Sequence, residues 1–186
     1  MKQKQGDNYM EALTVIANRQ SCRAYSKDQI GENDLQIILK AANAAPVGKK
    51  KFDEIKLTII QNQQLLDKID AVGAAFFKNH DQHPLYGAPT VILVSAKSHE
   101  GEPYPLAYCN AACIVENMAL AATDLGLGSV YIFGAIVALS RNAELCKELK
   151  VPEGFFPASA IAIGKAAEPL QDRELINTKF VTDYLR

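Results

Sequence analysis

The residues best equipped to do chemistry stand together in Arg19-Gln20-Ser21-Cys22-Arg23-Ala24-Tyr25. Two guanidiniums and a hydroxyl alternate along that stretch. In an extended chain, Arg19, Ser21 and Arg23 point to one side. Two forked donors and a hydroxyl directed at a common region suit a phosphate or another anionic, planar, oxygen-rich group, because guanidinium donors match oxyanions bidentately. The arginines also have a purely structural use. At a helix C-terminus they satisfy the last carbonyls and oppose the negative end of the dipole. Residue chemistry leaves both readings open.

The elements that must hold this stretch follow from periodicity. Tyr9, Ala12, Leu13 and Ile16 recur at helical spacing and predict a core-packed helix over 8–18. A second helix runs from about Glu32 to Ala45, carried by Leu35, Ile38, Leu39 and Ala42, and Pro46 forbids its continuation. A lysine-rich loop leads to Asp53, then a β-branched strand over Ile55 to Gln61. Short helices are expected over Gln63 to Ile69 and Ala71 to Lys78. Thr90 to Ala96 is a strand apolar enough to be buried on both faces. The alanine-rich helix from about Pro105 to Leu125 ends at Gly126 and Gly128. It is apolar nearly all round, which places it mid-structure or in a subunit interface. Ser129 to Phe133 is a third strand, Gly134 opens a helical region reaching about Leu149, and Ala158 to Gly164 is a fourth strand. The tail from Lys165 to Arg186 turns semi-apolar at Phe180, Val181, Tyr184 and Leu185, as a segment crossing onto another subunit would. The totals predict an α+β fold with four or five strands covered by helices.

A length of 186 residues fits one domain spanning 1–186. A net charge of -1 supplies no global field to attract nucleic acid or an anionic membrane, and Lys49-Lys50-Lys51 reads as a solvated loop. Met1 to Asp7 lacks an apolar leader, and Leu106 to Leu127 is interrupted by Asn110, Glu116, Asn117 and Asp124. The expectation is a cytoplasmic protein without membrane or nucleic-acid partners. Cys22, Cys109, Cys113 and Cys146 form no C-x-x-C pair, and His80, His83 and His99 are loosely placed, so buried free thiols and no metal are expected. Gly126-Leu127-Gly128 follows a helix and precedes a strand, the reverse of a dinucleotide fingerprint. Neither a Walker loop nor a G-x-S-x-G elbow occurs, and no acid–base pair is indicated by spacing.

Five pieces, in order, carry a resemblance. They are Arg19-x-Ser21-x-Arg23-x-Tyr25 after an amphipathic helix, a helix ending in Ala44-Ala45-Pro46, and Gly87-Ala88-Pro89 before a strand. Leu125-Gly126-Leu127-Gly128-Ser129 and Ile161-Ala162-Ile163-Gly164-Lys165 complete the set. From about Tyr9 to Gly164 the chain resembles the nitroreductase-like family of FMN-dependent oxidoreductases. The resemblance implies an α+β fold with a mostly antiparallel central sheet, an intertwined homodimer, and FMN sites shared between subunits. On that basis Arg19 and Ser21, with Gln20 between them, would hold the FMN phosphate and ribityl end, and Arg23 would approach the pyrimidine edge. Pro46, Val47, Gly48 and Lys49 would come from the other subunit. Ile132, Phe133 and Gly134 would lie against the ring, and Lys165 would add a phosphate contact. This chain reads Val47-Gly48-Lys49-Lys50-Lys51-Phe52-Asp53 where many relatives place a ring-contacting asparagine.

The implied activity is a two-step exchange, with NADH or NADPH as hydride donor and an electron-poor nitroaromatic, quinone or flavin as acceptor. The cofactor carries the chemistry, so no catalytic side chain is named. Tyr131, Phe133, Phe76 and Phe77 are candidate lining residues, although aromatics at such positions also serve as core. Two other readings stand beside it: a specialised flavoprotein acting on one metabolite, by dehalogenation or flavin cleavage, and a non-catalytic flavin-binding protein.

Overall fold

Two long strands buried on both faces organise the chain into three layers. The computed structural model describes residues 11–79 and 81–186; Tyr9 of the expected first helix and His80 lie outside them. Four strands, β1 (Ile55–Ile60), β2 (Thr90–Lys97), β3 (Gly128–Ile132) and β4 (Phe155–Gly164), pair antiparallel throughout in the order β1-β2-β4-β3. Because successive side chains point to opposite faces, Ile92, Val94 and Ile161 join one core, and Val91, Leu93 and Ala160 the other. Helices α2 (Glu32–Asn43) and α4 (Pro105–Asp124) cover the first face. Helices α3 (Gln63–Phe76), α5 (Gly134–Leu139) and α6 (Ala143–Glu148) cover the second. Both faces being covered explains why β2 is buried at nearly every position.

Several boundaries differ from expectation, each for a local reason. α3 is one helix. Asp70, which lies between the two expected helices, points its carboxylate at Leu85 N–H and His83 instead of competing for its own backbone. The region after Gly134 is two helices, because Asn142 caps α6 by accepting from Leu145 N–H at 3.0 Å. β4 starts three residues earlier than the apolar run suggests; its Pro157 sits where the β2–β4 register shifts, a position that requires no ladder donor. Helix α1 (Ala12–Asn18) buries Val15, while Leu13 and Ile16 of the expected core stripe are 66% and 48% exposed. The thiols also differ: Cys22 is buried, but Cys109 and Cys113 are exposed on the α4 face turned away from the sheet. No helix among the described residues is long and apolar enough to cross a membrane.

The two glycines after α4 have different roles. Gly126 takes φ +71, closing the helix with Leu127 N–H to Ala122 O at 2.8 Å and Gly126 N–H to Thr123 O at 3.0 Å. Gly128 is a close-approach glycine, since an added Cβ would lie 2.6 Å from Cys22 Sγ. That contact brings the Arg19–Tyr25 stretch against the free edge of β3.

Candidate functional site

The Arg19–Tyr25 stretch is extended and runs beside the sheet. Ser21 bridges Ser129 in parallel, with Cys22 N–H donating to Ser129 O at 2.9 Å. Tyr25 then bridges Ala166 antiparallel, with Ser26 N–H to Lys165 O and Ala167 N–H to Ala24 O. Cys22 and Tyr25 anchor it inward. The Tyr25 hydroxyl donates to Cys22 O at 2.9 Å, and burial pushes its pKa up so that it stays protonated. With Cys22 buried, Ser21 and Arg23 stand exposed, as the period-2 reading requires.

The cations are only lightly committed. Arg19 Nε lies 3.5 Å from Glu116 on α4, with side chains 30% and 54% exposed; Lys165 Nζ lies 3.6 Å from Asp28, and both of those are more exposed still. Exposed pairs of this kind contribute about 0–1 kcal/mol, so a phosphate offering several acceptor oxygens can displace them. Arg23 packs its guanidinium 5.9 Å from the centroid of the Tyr86 ring. Gln20 is already engaged, donating from Nε2 to Gln171 O at 2.7 Å and so holding the tail. Arg173 adds to that hold through its N–H to Asn18 Oδ1 and its Nη1 to Arg19 O, both 3.0 Å. The tail therefore begins against its own chain. Beyond it Phe180, Val181, Tyr184 and Leu185 project almost fully exposed.

Lys165 and Gln20 line one cavity of about 530 Å³, bounded by the tail and Gly126. Arg23 lines another of about 880 Å³. The extended stretch is the wall between a Lys165 side and an Arg23 side.

Ile132, Phe133 and Gly134 lie at the end of the same strand that holds Ser21. Ser129 and Phe133 are four residues apart, roughly 13 Å along an extended chain. Gly134 abuts Phe77, whose Cζ would be 2.4 Å from an added Cβ, so no larger residue fits that turn without moving the ring. Phe76, Phe77, Tyr131 and Phe133 are 39–47% exposed, which removes the core reading for all four. Phe76 and Phe77 meet edge-on at 5.4 Å, and Phe133 meets Tyr108 at 6.1 Å.

Pro46, Val47, Gly48 and Lys49 stand elsewhere, at the N-terminal end of α4. Gly48 N–H donates to Asn110 Oδ1 at 2.9 Å and its Cα faces Leu106. Lys49 and Lys50 both take positive φ, 57° and 56°, a conformation that bulky residues keep only where surroundings enforce it. Glu54 stands just beyond them. Its nearly buried carboxylate accepts from Lys51 Nζ at 2.6 Å and the Tyr104 hydroxyl at 3.1 Å, and the Lys51 ammonium chiefly pulls its pKa down to about 2 against the effect of burial. Asn110 and Glu116 are six residues apart on α4, roughly 9 Å of rise and a third of a turn, so the helix separates this loop from the Arg19 end.

Sequence reasoning missed Asn110, Glu116, Glu54 and Asp70 as supports of the site. The first two were visible as polar interruptions of an apolar helix, positions where a polar partner from another element can be met. Glu54 and Asp70 left no signal, because their partners are 3–50 residues away in sequence.

Known proteins match this chain along most of its length. It is 29% identical over 154 residues to a protein of Archaeoglobus fulgidus provisionally named NADH dehydrogenase/NAD(P)H nitroreductase, covering 83% of this chain and 84% of that one. A protein of the same provisional name from Methanothermobacter thermautotrophicus is 30% identical over 177 residues, covering 90% and 84%. Among solved structures, a nitroreductase with bound FMN from Bacteroides fragilis superposes with a TM-score of 0.80 at 28% identity, covering 95% of this chain and all of that one. Another with bound FMN, from Desulfitobacterium hafniense, gives 0.81 at 25% identity, covering 94% and 98%. Residues 16–165, from the end of α1 to the lysine after β4, match the Nitroreductase family, and the chain belongs to it.

Proposed function

We propose that this protein is an FMN-dependent NAD(P)H oxidoreductase that passes hydride from a nicotinamide to an electron-poor acceptor in two half-reactions. The observation that carries the reading is the exposed pair Ser21 and Arg23, fixed on the edge of β3 whose far end turns at Ile132-Phe133-Gly134. The donor set fits FMN. Arg19, Ser21 and Lys165 offer forked, hydroxyl and ammonium donors to a phosphate, and each is free or held only by a weak exposed pair. Arg23 would balance the negative charge that reduction places on the pyrimidine edge of the ring. When bound, FMN supplies the hydride-accepting and hydride-donating atom, N5. The exposed Phe133 and Tyr131 would give apolar cover that keeps water from that atom.

The same reading makes the protein a homodimer. The Pro46–Lys49 loop and the Arg19–Arg23 stretch lie on different parts of α4, so a site using both is completed by a second copy. Leu13, Ile16 and Leu106 leave an apolar surface for that contact. The absorbance spectrum of the purified protein tests both points. A yellow protein that bleaches anaerobically with NADH or NADPH, and that loses flavin on serial dilution, is the expected result. A colourless protein that takes up no added FMN overturns the flavin assignment, and a stable monomer with full flavin overturns the shared site.

A further inference from the structure

On the face of α4 turned away from the sheet, Leu106, Cys109, Cys113 and Glu116 are exposed and Leu120 is half-buried. At 3.6 residues per turn these positions fall on one stripe. The stripe is symmetric about Cys113. Leu106 stands seven residues before it and Leu120 seven after, each roughly 10 Å along the helix axis. Leu106 is a knob, packed over the Gly48 loop. Leu120 lines a groove of about 390 Å³ with Ile16 of α1 and Ala41 and Ala44 at the end of α2, Asn117 and Asp124 being its polar members. Charge follows the same symmetry. Asn110, three residues before Cys113, holds the loop that carries Lys49 and Lys50, both exposed and neither paired with a carboxylate among the described residues. Glu116, three residues after Cys113, is the one acid on the stripe, held only by Arg19 Nε at 3.5 Å.

A surface whose knob and groove, and whose cations and anion, stand at equal distances on either side of one residue is complementary to itself across a two-fold axis. We infer that a second copy of this chain docks antiparallel along α4 with the axis at Cys113. Leu106 of each copy enters the other's Ile16–Leu120 groove, and Lys49 and Lys50 of each face the other's Glu116. The docking rests on the shared-site reading above and gives it a register: the Gly48 loop of one copy arrives beside the Arg19 end of the other. Glu116 then stands between Arg19 of its own chain and the lysines of the second copy. Cys109, Ala112 and Cys113 are small enough for the two helices to approach to about 8 Å. That brings Cys113 within disulfide reach of its own copy, about 4.4–6.8 Å between Cα atoms.

The test is cross-linking of the purified protein by diamide, which takes two electrons and two protons from a thiol pair and leaves one S–S bond. Non-reducing gels read the cross-link, and sedimentation velocity reads the dimer. In this register the two Cys109 stand roughly 12 Å apart along the axis and cannot join. Wild type and Cys109→Ser therefore form a covalent dimer, and Cys113→Ser does not. Glu116→Lys sets like charges against Lys49 and Lys50 and weakens the dimer about tenfold, less so at high salt. Lys49→Glu with Lys50→Glu in the same chain restores it. A protein monomeric at every concentration, a dimer that does not cross-link, a cross-link that survives Cys113→Ser, or a dimer affinity unmoved by Glu116→Lys each overturn the docking. Absorbance of the same samples separates it from the flavin reading. A colourless protein that cross-links through Cys113 keeps the docking and discards the flavin; a yellow, bleachable dimer without that cross-link does the opposite.

Discussion

Gly128→Ala is the sharpest probe of how the candidate site is held. The new methyl would sit 2.6 Å from Cys22 Sγ and 2.8 Å from Cys22 Cβ, roughly 0.8 Å inside ordinary contact. Neither atom moves easily, because Cys22 is buried, its N–H is bonded to Ser129 O, and its carbonyl accepts from Tyr25. The extended stretch must therefore lift off β3, carrying Ser21 and Arg23 with it. Overpacking of this kind costs about 1–3 kcal/mol, which in a chain of this size lowers Tm by roughly 2–10 °C. Cys22→Ala in the same background removes the sulfur but keeps the Cβ contact, so it restores part of the loss, and the coupling appears as non-additivity in a double-mutant cycle. Thermal unfolding read by circular dichroism, with flavin retention measured on the same samples, follows both consequences. A Gly128→Ala protein with wild-type Tm and full flavin would refute the placement of this stretch against β3.

Two further substitutions probe charge. Arg19→Ala should weaken FMN binding by about 1.5–3 kcal/mol, the usual size of a charge-assisted hydrogen bond, measured by fluorescence titration of the apoprotein; an unchanged affinity would move the phosphate elsewhere. Glu54→Gln should flatten the acid limb of stability. With its pKa lowered to about 2 by Lys51, Glu54 contributes stability that is complete above its unfolded value of roughly 4.3 and is lost as pH falls through about 2. The Tm gap between wild type and variant should therefore narrow from pH 6 to pH 3. A constant gap would mean that the Lys51–Glu54 pair contributes nothing to the fold.

What was legible in the sequence was whatever depends on near neighbours. A continuous apolar run marked the two-faced burial of β2, and a glycine after a run of small residues marked the end of α4, because pleat and helix pitch act over two to four residues. The extended Arg19–Arg23 stretch was legible for the same reason. What stayed hidden was set by contacts distant in sequence. Leu13 and Ile16 form a sound apolar stripe, yet their own chain leaves them exposed, because periodicity reports that a face is apolar without saying what covers it. Arg23 shows the same limit within the site itself. Its spacing announced a cation on one side of a strand, but its setting over Tyr86 depends on Asp70, which holds the Leu85–Tyr86 turn from 15 residues away. Removing that carboxylate would leave every motif residue in place while freeing the turn that aims one of them. The chemistry of this edge therefore resides as much in α3, which carries no motif, as in the stretch that does.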